Sequence, residues 1–247
     1  MRHRRLRPGL HVVRRDDHHV QVGVDPPWRV VAPDEPEVRR LLDELTAGRS
    51  VAPASPAAHR TLLALDRAGM LVDASAAAEE RRRTVRVQAG PEARDEVVRV
   101  VRSAGCEPAA DGAVALVVVA GEVPRPDVDS HLREGRAHLP LAAGPRGWTI
   151  GPFVVPGASA CLRCVDAHRG EHDPRRALVV DQLAGLPSAP DDPVLAALAL
   201  AWAVRDVRTH LDGGVPSTWC ATVELGPELR PLRRAWARHP YCGCSWA

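Results

Sequence analysis

The order of apolar and polar positions divides the chain into two differently patterned parts. In the first, Val20, Val22 and Val24 alternate with small or polar neighbours, the period of a half-buried strand over residues 19–24. Val12 and Val13 supply a hairpin partner across the polar turn 14–17, and residues 28–31 offer a third strand. Asp34 stands where a helix N-cap belongs and Pro36 falls in the first turn. Val38, Leu41, Leu42 and Leu45 then repeat as one helical stripe, which Gly48 ends. A second helix opens at Ser55 and Pro56, turns Ala58, Leu62 and Leu65 inward and stops at Gly69, before a short closing strand at 70–72. This order predicts a small winged-helix-like α+β domain over residues 1–75.

Residues 76–83, rich in alanine, glutamate and arginine, read as a linker. Beyond it strand and helix alternate over residues 84–247. A strand at 84–88 precedes a helix at 92–103 with Val97, Val98, Val100 and Val101 inward. Residues 113–120 form an unbroken apolar run, typical of a central parallel strand. A short helix at 127–135 and a strand at 138–142 complete a βαβαβ order, so the fold class is α/β with a Rossmann-like sheet. Residues 148–155 continue as a hairpin arm, and 218–225 make a late strand. The helix from Pro193 to His210 is apolar nearly all round, which suits a core or a homodimer interface.

Composition removes several function classes. There are 33 basic and 31 acidic residues, a net charge of +2, without the basic excess of a dedicated nucleic-acid or membrane-surface protein. No apolar run approaches the roughly 20 residues of a membrane helix, and no apolar segment follows the basic start as in a signal peptide. The expectation is a cytoplasmic protein, in which the six cysteines favour metal over disulfides.

Cys161 and Cys164 form a C-x2-C pair, and Cys242 and Cys244 a C-x-C pair. Zinc prefers soft thiolates in a tetrahedron, and each pair presents two sulfurs from one turn. Four thiolates leave no open coordination position, so such a zinc is structural. His168 and His172 offer a local alternative with Cys161 and Cys164, and redox-active or simply buried cysteines are another. Cys106 and Cys220 read as core residues. The first sheet turn, Ala89-Gly90-Pro91-Glu92, lacks the glycine pattern of nucleotide-binding Rossmann units. Proline there removes a donor, Glu92 repels phosphate, and the chain contains no lysine at all. ATP is therefore not expected, and no residue is singled out as catalytic or nucleotide-binding.

Gly151-Pro-Phe-Val-Val-Pro-Gly157, Cys161-Leu-Arg-Cys164-Val-Asp-Ala-His168 and His239-Pro-Tyr-Cys242-Gly-Cys244, in this order, resemble the ThiF-like, ubiquitin-activating-like proteins. The resemblance is to the actinobacterial branch of thiazole/oxazole-modified peptide biosynthesis, the leader-binding partners of YcaO-type cyclodehydratases. It implies a scaffold that binds the leader of a ribosomal precursor peptide and presents it to a YcaO-type enzyme that uses ATP. It implies further that the leader adds as a strand beside Val20, Val22 and Val24 and packs against the helix carrying Leu62 and Leu65. An ATP-dependent adenylyltransferase acting on a peptide is one alternative function, and a winged-helix DNA-binding regulator is a second.

Overall fold

The computed structural model describes residues 4–49, 52–73, 83–186 and 192–244. The chain forms two compact units, Met1–Glu80 and Arg81–Ala247. All of the expected linker except Arg83 lies outside the described residues.

In the first unit, strands β1 (Arg4–Leu6), β2 (Val12–Arg14), β3 (His19–Val22) and β4 (Val30–Pro33) precede helices α1 (Pro36–Thr46) and α2 (Pro56–Arg67) and strand β5 (Leu71–Asp73). The hairpin expected from Val12 and Val13 is present, and β2, β3 and β4 form an antiparallel sheet in that order. The closing strand does not join this sheet. It pairs with β1 as a separate two-stranded ribbon, a pairing between the two ends of this unit that no local pattern announces. Alternation places Val20, Val22, Val30 and Ala32 on one face, where they meet Val38, Leu41, Leu42 and Leu45 of α1 and Leu65 of α2. Ser55 caps α2, its hydroxyl accepting from the Ala58 N–H. Asp34 does not cap α1. The N-cap position belongs to Glu35 without a side-chain bond, and Asp34 instead forms a bidentate ion pair with Arg39.

The second unit is built on a seven-stranded mixed sheet in the order β12-β11-β10-β9-β8-β6-β7. Strands β6 (Thr84–Ala89), β7 (Glu107–Pro108), β8 (Val114–Ala120) and β9 (Ala137–Gly144) are mutually parallel. Strands β10 (Gly147–Ile150), β11 (Ala221–Leu225) and β12 (Leu232–Ala235) add as antiparallel neighbours. The hairpin from β9 to β10 turns at Gly147, where φ is +119° and a Cβ would run into the Leu225 carbonyl oxygen. Helices α3 (Pro91–Ser103) and α7 (Pro193–Leu211) pack on one face, against a core that includes Val97, Leu116, Leu139, Leu141, Ile150 and Phe153. Helix α4 (Arg125–Arg133) packs on β9 and against α5 (Leu162–Gly170), which in turn contacts α6 (Arg176–Leu183). Helix α7 is one-sided. Leu195, Ala199, Leu200, Ala203, Val204 and Val207 are buried, whereas Val194 and Leu198 face solvent. Buried Asp206 on this helix accepts from the backbone N–H and hydroxyl of both Ser217 and Thr218, fixing the approach to β11.

Two buried histidines meet where α4 packs on β9, His131 on the helix and His138 on the strand. His131 bonds through Nε2 to the Gln88 side chain, and His138 bonds through Nδ1 to the Arg136 carbonyl. Their rings are 5.4 Å apart, and His131 Nδ1 and His138 Nε2 have no partner. Burial pushes the His138 imidazole down to about 4 from the usual 6.5. Between those values the unfolded chain takes up the proton and the folded one does not. The stabilising term is therefore present above pH 6.5 and is lost as pH falls toward 4, on the order of 3 kcal/mol in total. Urea midpoints should decline across this interval, and His138→Gln should flatten that part of the profile.

Candidate metal centre

Cys161 is the N-cap residue of α5, and Cys164 lies in its first turn. The helix N-terminus therefore faces the thiols and favours thiolate. Cys242 and Cys244 arrive from the segment after β12, where Gly243 takes φ +57° and folds the C-x-C turn back on itself. The four Sγ atoms lie within 4.8 Å of one another. Cys161 and Cys164 are 3.7 Å apart, Cys161 and Cys242 3.4 Å, and Cys164 and Cys244 3.4 Å. A zinc–sulfur bond of about 2.3 Å gives a tetrahedron edge of about 3.8 Å, so the four sulfurs fit one ion. None of the four is in a disulfide. Without a cation the crowded thiols share protons. Sharing with Cys164 and then Cys242 pushes the Cys161 thiol up, and the bond from Cys161 holds the Cys164 thiol down. A divalent ion would replace those protons.

The surroundings hold the ligand loop in place. Val154, Ala160, Leu132, Cys220 and Trp236 pack around the sulfurs. His239 is buried; its Nδ1 accepts from the Tyr241 N–H and its Nε2 donates to Glu171 at 3.0 Å. That bond lowers the Glu171 carboxyl below its usual range. His168, Glu171 and His239 lie close enough to suggest a second ion site. Both ring nitrogens of His239 are already used, and His168 Nε2 bonds to the Ala237 carbonyl. This trio is a clamp between α5 and the loop. The alternative ligand set of Cys161, Cys164, His168 and His172 is not what the fold gathers.

The turn between β6 and α3 closes on itself. A Cβ built on Gly90 would meet the Glu92 carboxylate, which therefore lies against the turn that opens the helix. This is where Rossmann units that bind nucleotides seat a phosphate. Beside it is a cavity of about 620 Å³ bordered by Arg86, Gln88, Arg94 and Asp127. A larger cavity, about 820 Å³, covers the other sheet face, with Arg125, Arg169, Arg176, Thr222, Glu224 and Arg234 in its walls. Arg125 is buried and forms a bidentate ion pair with Asp166.

Of the residues expected to touch a peptide, most lie in or against the core of the first unit. Val20, Val22 and Leu65 are 4%, 2% and 0% exposed in the core of the first unit, so their side chains are not available to a ligand. Leu62 is half-buried, and Val24 lies beyond the end of β3 in solvent. β3 is the central strand, hydrogen-bonded on both sides, so it is not the expected edge. The open edges are β2 and β4. The Asp34 N–H donates to the His18 carbonyl, and alternation from that bond points the N–H and C=O of Val31 outward from β4. Helix α2 packs beside this strand.

No family model matches the sequence, and no curated protein matches it. Solved structures share the fold. A heterocyclase in complex with substrate and cofactor superposes with TM-score 0.71 at 15% identity, covering 98% of this chain and 39% of that one. The heterocyclase TruD gives TM-score 0.71 at 17% identity, covering 99% and 43%. E. coli MccB with MccA-N7isoASN gives TM-score 0.62 at 10% identity, covering 98% and 99%. The chain thus spans about two-fifths of the heterocyclases' length and nearly all of MccB's.

Elemental analysis of the purified protein should find about one zinc per chain. Cys242→Ser combined with Cys244→Ser should lose the ion and lower the melting temperature, because metal binding is coupled to folding. A wild type that is fully folded and free of metal would refute the assignment.

Proposed function

We propose that the chain is a leader-peptide-binding scaffold that presents a ribosomal precursor peptide to a YcaO-type cyclodehydratase, with a structural zinc and no adenylation activity of its own. The observation that carries this reading is the pairing of two features. The fold is shared with a heterocyclase in complex with substrate and cofactor and with MccB carrying MccA-N7isoASN. Yet the β6–α3 turn has proline and a carboxylate where a phosphate would lie.

Under this reading residues 1–75 are the winged-helix-like recognition domain, and the leader adds to β4. The outward backbone groups of Val31 supply the ladder and neighbouring α2 the wall of a groove. Val20, Val22 and Leu65 support that groove from the core, and Leu62 and Val24 lie nearer its surface. The Rossmann-like unit of residues 84–247 serves for partner contact. Among the described residues no helix is long and apolar enough to cross a membrane; a place in the cytoplasm is part of this proposal.

A labelled leader from a co-encoded precursor should bind the full chain in a fluorescence-polarisation titration. Val31→Pro removes the outward donor of β4 and should weaken binding by about tenfold, with zinc content unchanged. No affinity for any co-encoded peptide, together with operator DNA binding of steep salt dependence, would replace this reading with the regulator.

Calorimetry with magnesium and ATP should show no heat of binding at millimolar nucleotide. Peptide-dependent pyrophosphate exchange would instead establish the adenylyltransferase.

A further inference from the structure

β12 is the outer strand of the seven-stranded sheet, and all four of its residues are exposed. Its inner side is committed to β11. The Trp236 N–H donates to the Cys220 carbonyl, and alternation from that pair assigns Arg234 and Leu232 to the β11 ladder. The N–H and C=O groups of Arg233 and Ala235 therefore point outward. Pro231, with no N–H, closes the row at one end.

The side chains along this edge carry one sign of charge. Arg230, Arg233, Arg234 and Arg238 fall in a stretch from 229 to the last residue that contains no acidic side chain. Arg233 donates to the Ser217 carbonyl at 3.1 Å, and Arg234 lies over the Trp236 ring at 5.9 Å. Neither makes an ion pair among the described residues. The nearest carboxylate across the ladder, Glu224, already pairs with Arg146 at 3.3 Å and Arg169 at 3.7 Å. Arg234 faces the large cavity, and Leu232, 53% exposed, follows it on the same face. Arg233 faces the other way.

We propose that β12 is a docking edge for an extended acidic segment of a partner polypeptide, which adds as an eighth strand. Arg233 and Ala235 would supply the backbone ladder. Two consecutive acidic residues would meet Arg233 and Arg234 on opposite faces, and an apolar residue two positions on would cover Leu232. A second copy of this chain is a poor occupant. Two β12 strands related by a dyad would set arginine against arginine, and β7, the other sheet edge, is two residues long and includes Pro108. Arginine on an edge also discourages aggregation, and that simpler role predicts no peptide binding.

The test uses the full chain and a fluorescein-labelled peptide of repeating Val-Asp-Glu, with a Val-Asn-Gln peptide as control. The acidic peptide should bind and the control should not, with affinity falling as salt rises. Arg233→Gln combined with Arg234→Gln should weaken binding by about tenfold or more. Ala235→Pro, which removes an outward donor, should do the same at an unchanged melting temperature. If the proline variant melts lower, the variant of the two exposed arginines decides the case. Val31→Pro in β4 should leave acidic-peptide binding intact, which separates this edge from the leader-binding reading. Absence of wild-type binding, or binding that survives the double arginine variant, would overturn the proposal. So would a double variant that self-associates when the wild type binds no peptide, since that leaves only protection against aggregation.

Discussion

Two short cysteine pairs, far apart in sequence, converge on one point, and much of the second unit depends on that closure. The pair at the start of α5 is set by a helix N-terminus, and the pair near the end of the chain by one glycine in a left-handed turn. Between the second pair and the sheet run Trp236 and His239, one donating to Thr222 and the other clamped to Glu171. β12 is thus tethered at both ends, by its ladder to β11 and by the cysteine loop that follows it. The four thiols share protons across Sγ–Sγ contacts of 3.4–3.7 Å, and a divalent ion held by the four sulfurs would replace those protons.

The two faces of the sheet divide their tasks. The face under α3 and α7 is apolar and supplies the main core. The other face, under α5 and α6, carries arginines and carboxylates around a large cavity. Burial of Arg125 is tolerable because Asp166 and Glu122 both pair with it. Arg169 feels burial and then the charge of Arg176, which together lower its affinity for a proton. Arg86, Arg94 and Asp127 also border the smaller cavity at the parallel end, where the Glu92 carboxylate lies against the β6–α3 turn.

Helix-forming stretches were legible because each signal is local. The stripe Val38, Leu41, Leu42 and Leu45 and the Ser55 cap lie within a few residues of one another, and both occur as expected. Helix α6 escaped notice because it is apolar around most of its surface and has no stripe; only Val180 is buried, while Leu178, Val179 and Leu183 face solvent. β7 is two residues long and β12 is wholly exposed, so neither carries a burial pattern to read. Asp34 had the composition of a cap, but Arg39 competed for its carboxylate.

By itself the sequence determined the periodicities, the apolar central strand β8, the missing phosphate loop and the spacing of the two cysteine pairs. All of these depend on neighbours along the chain. Only the tertiary structure decided which strands are edges. Val20 and Val22 show the alternation of a strand exposed on one face, and that alternation is the same for an edge as for a centre. Partner strands on both sides made β3 central and left β4 open, and the same long-range pairing put β12 at the rim. It also brought the sulfurs of Cys161, Cys164, Cys242 and Cys244 within 4.8 Å of one another, because distances between elements are set by packing, which no local pattern encodes.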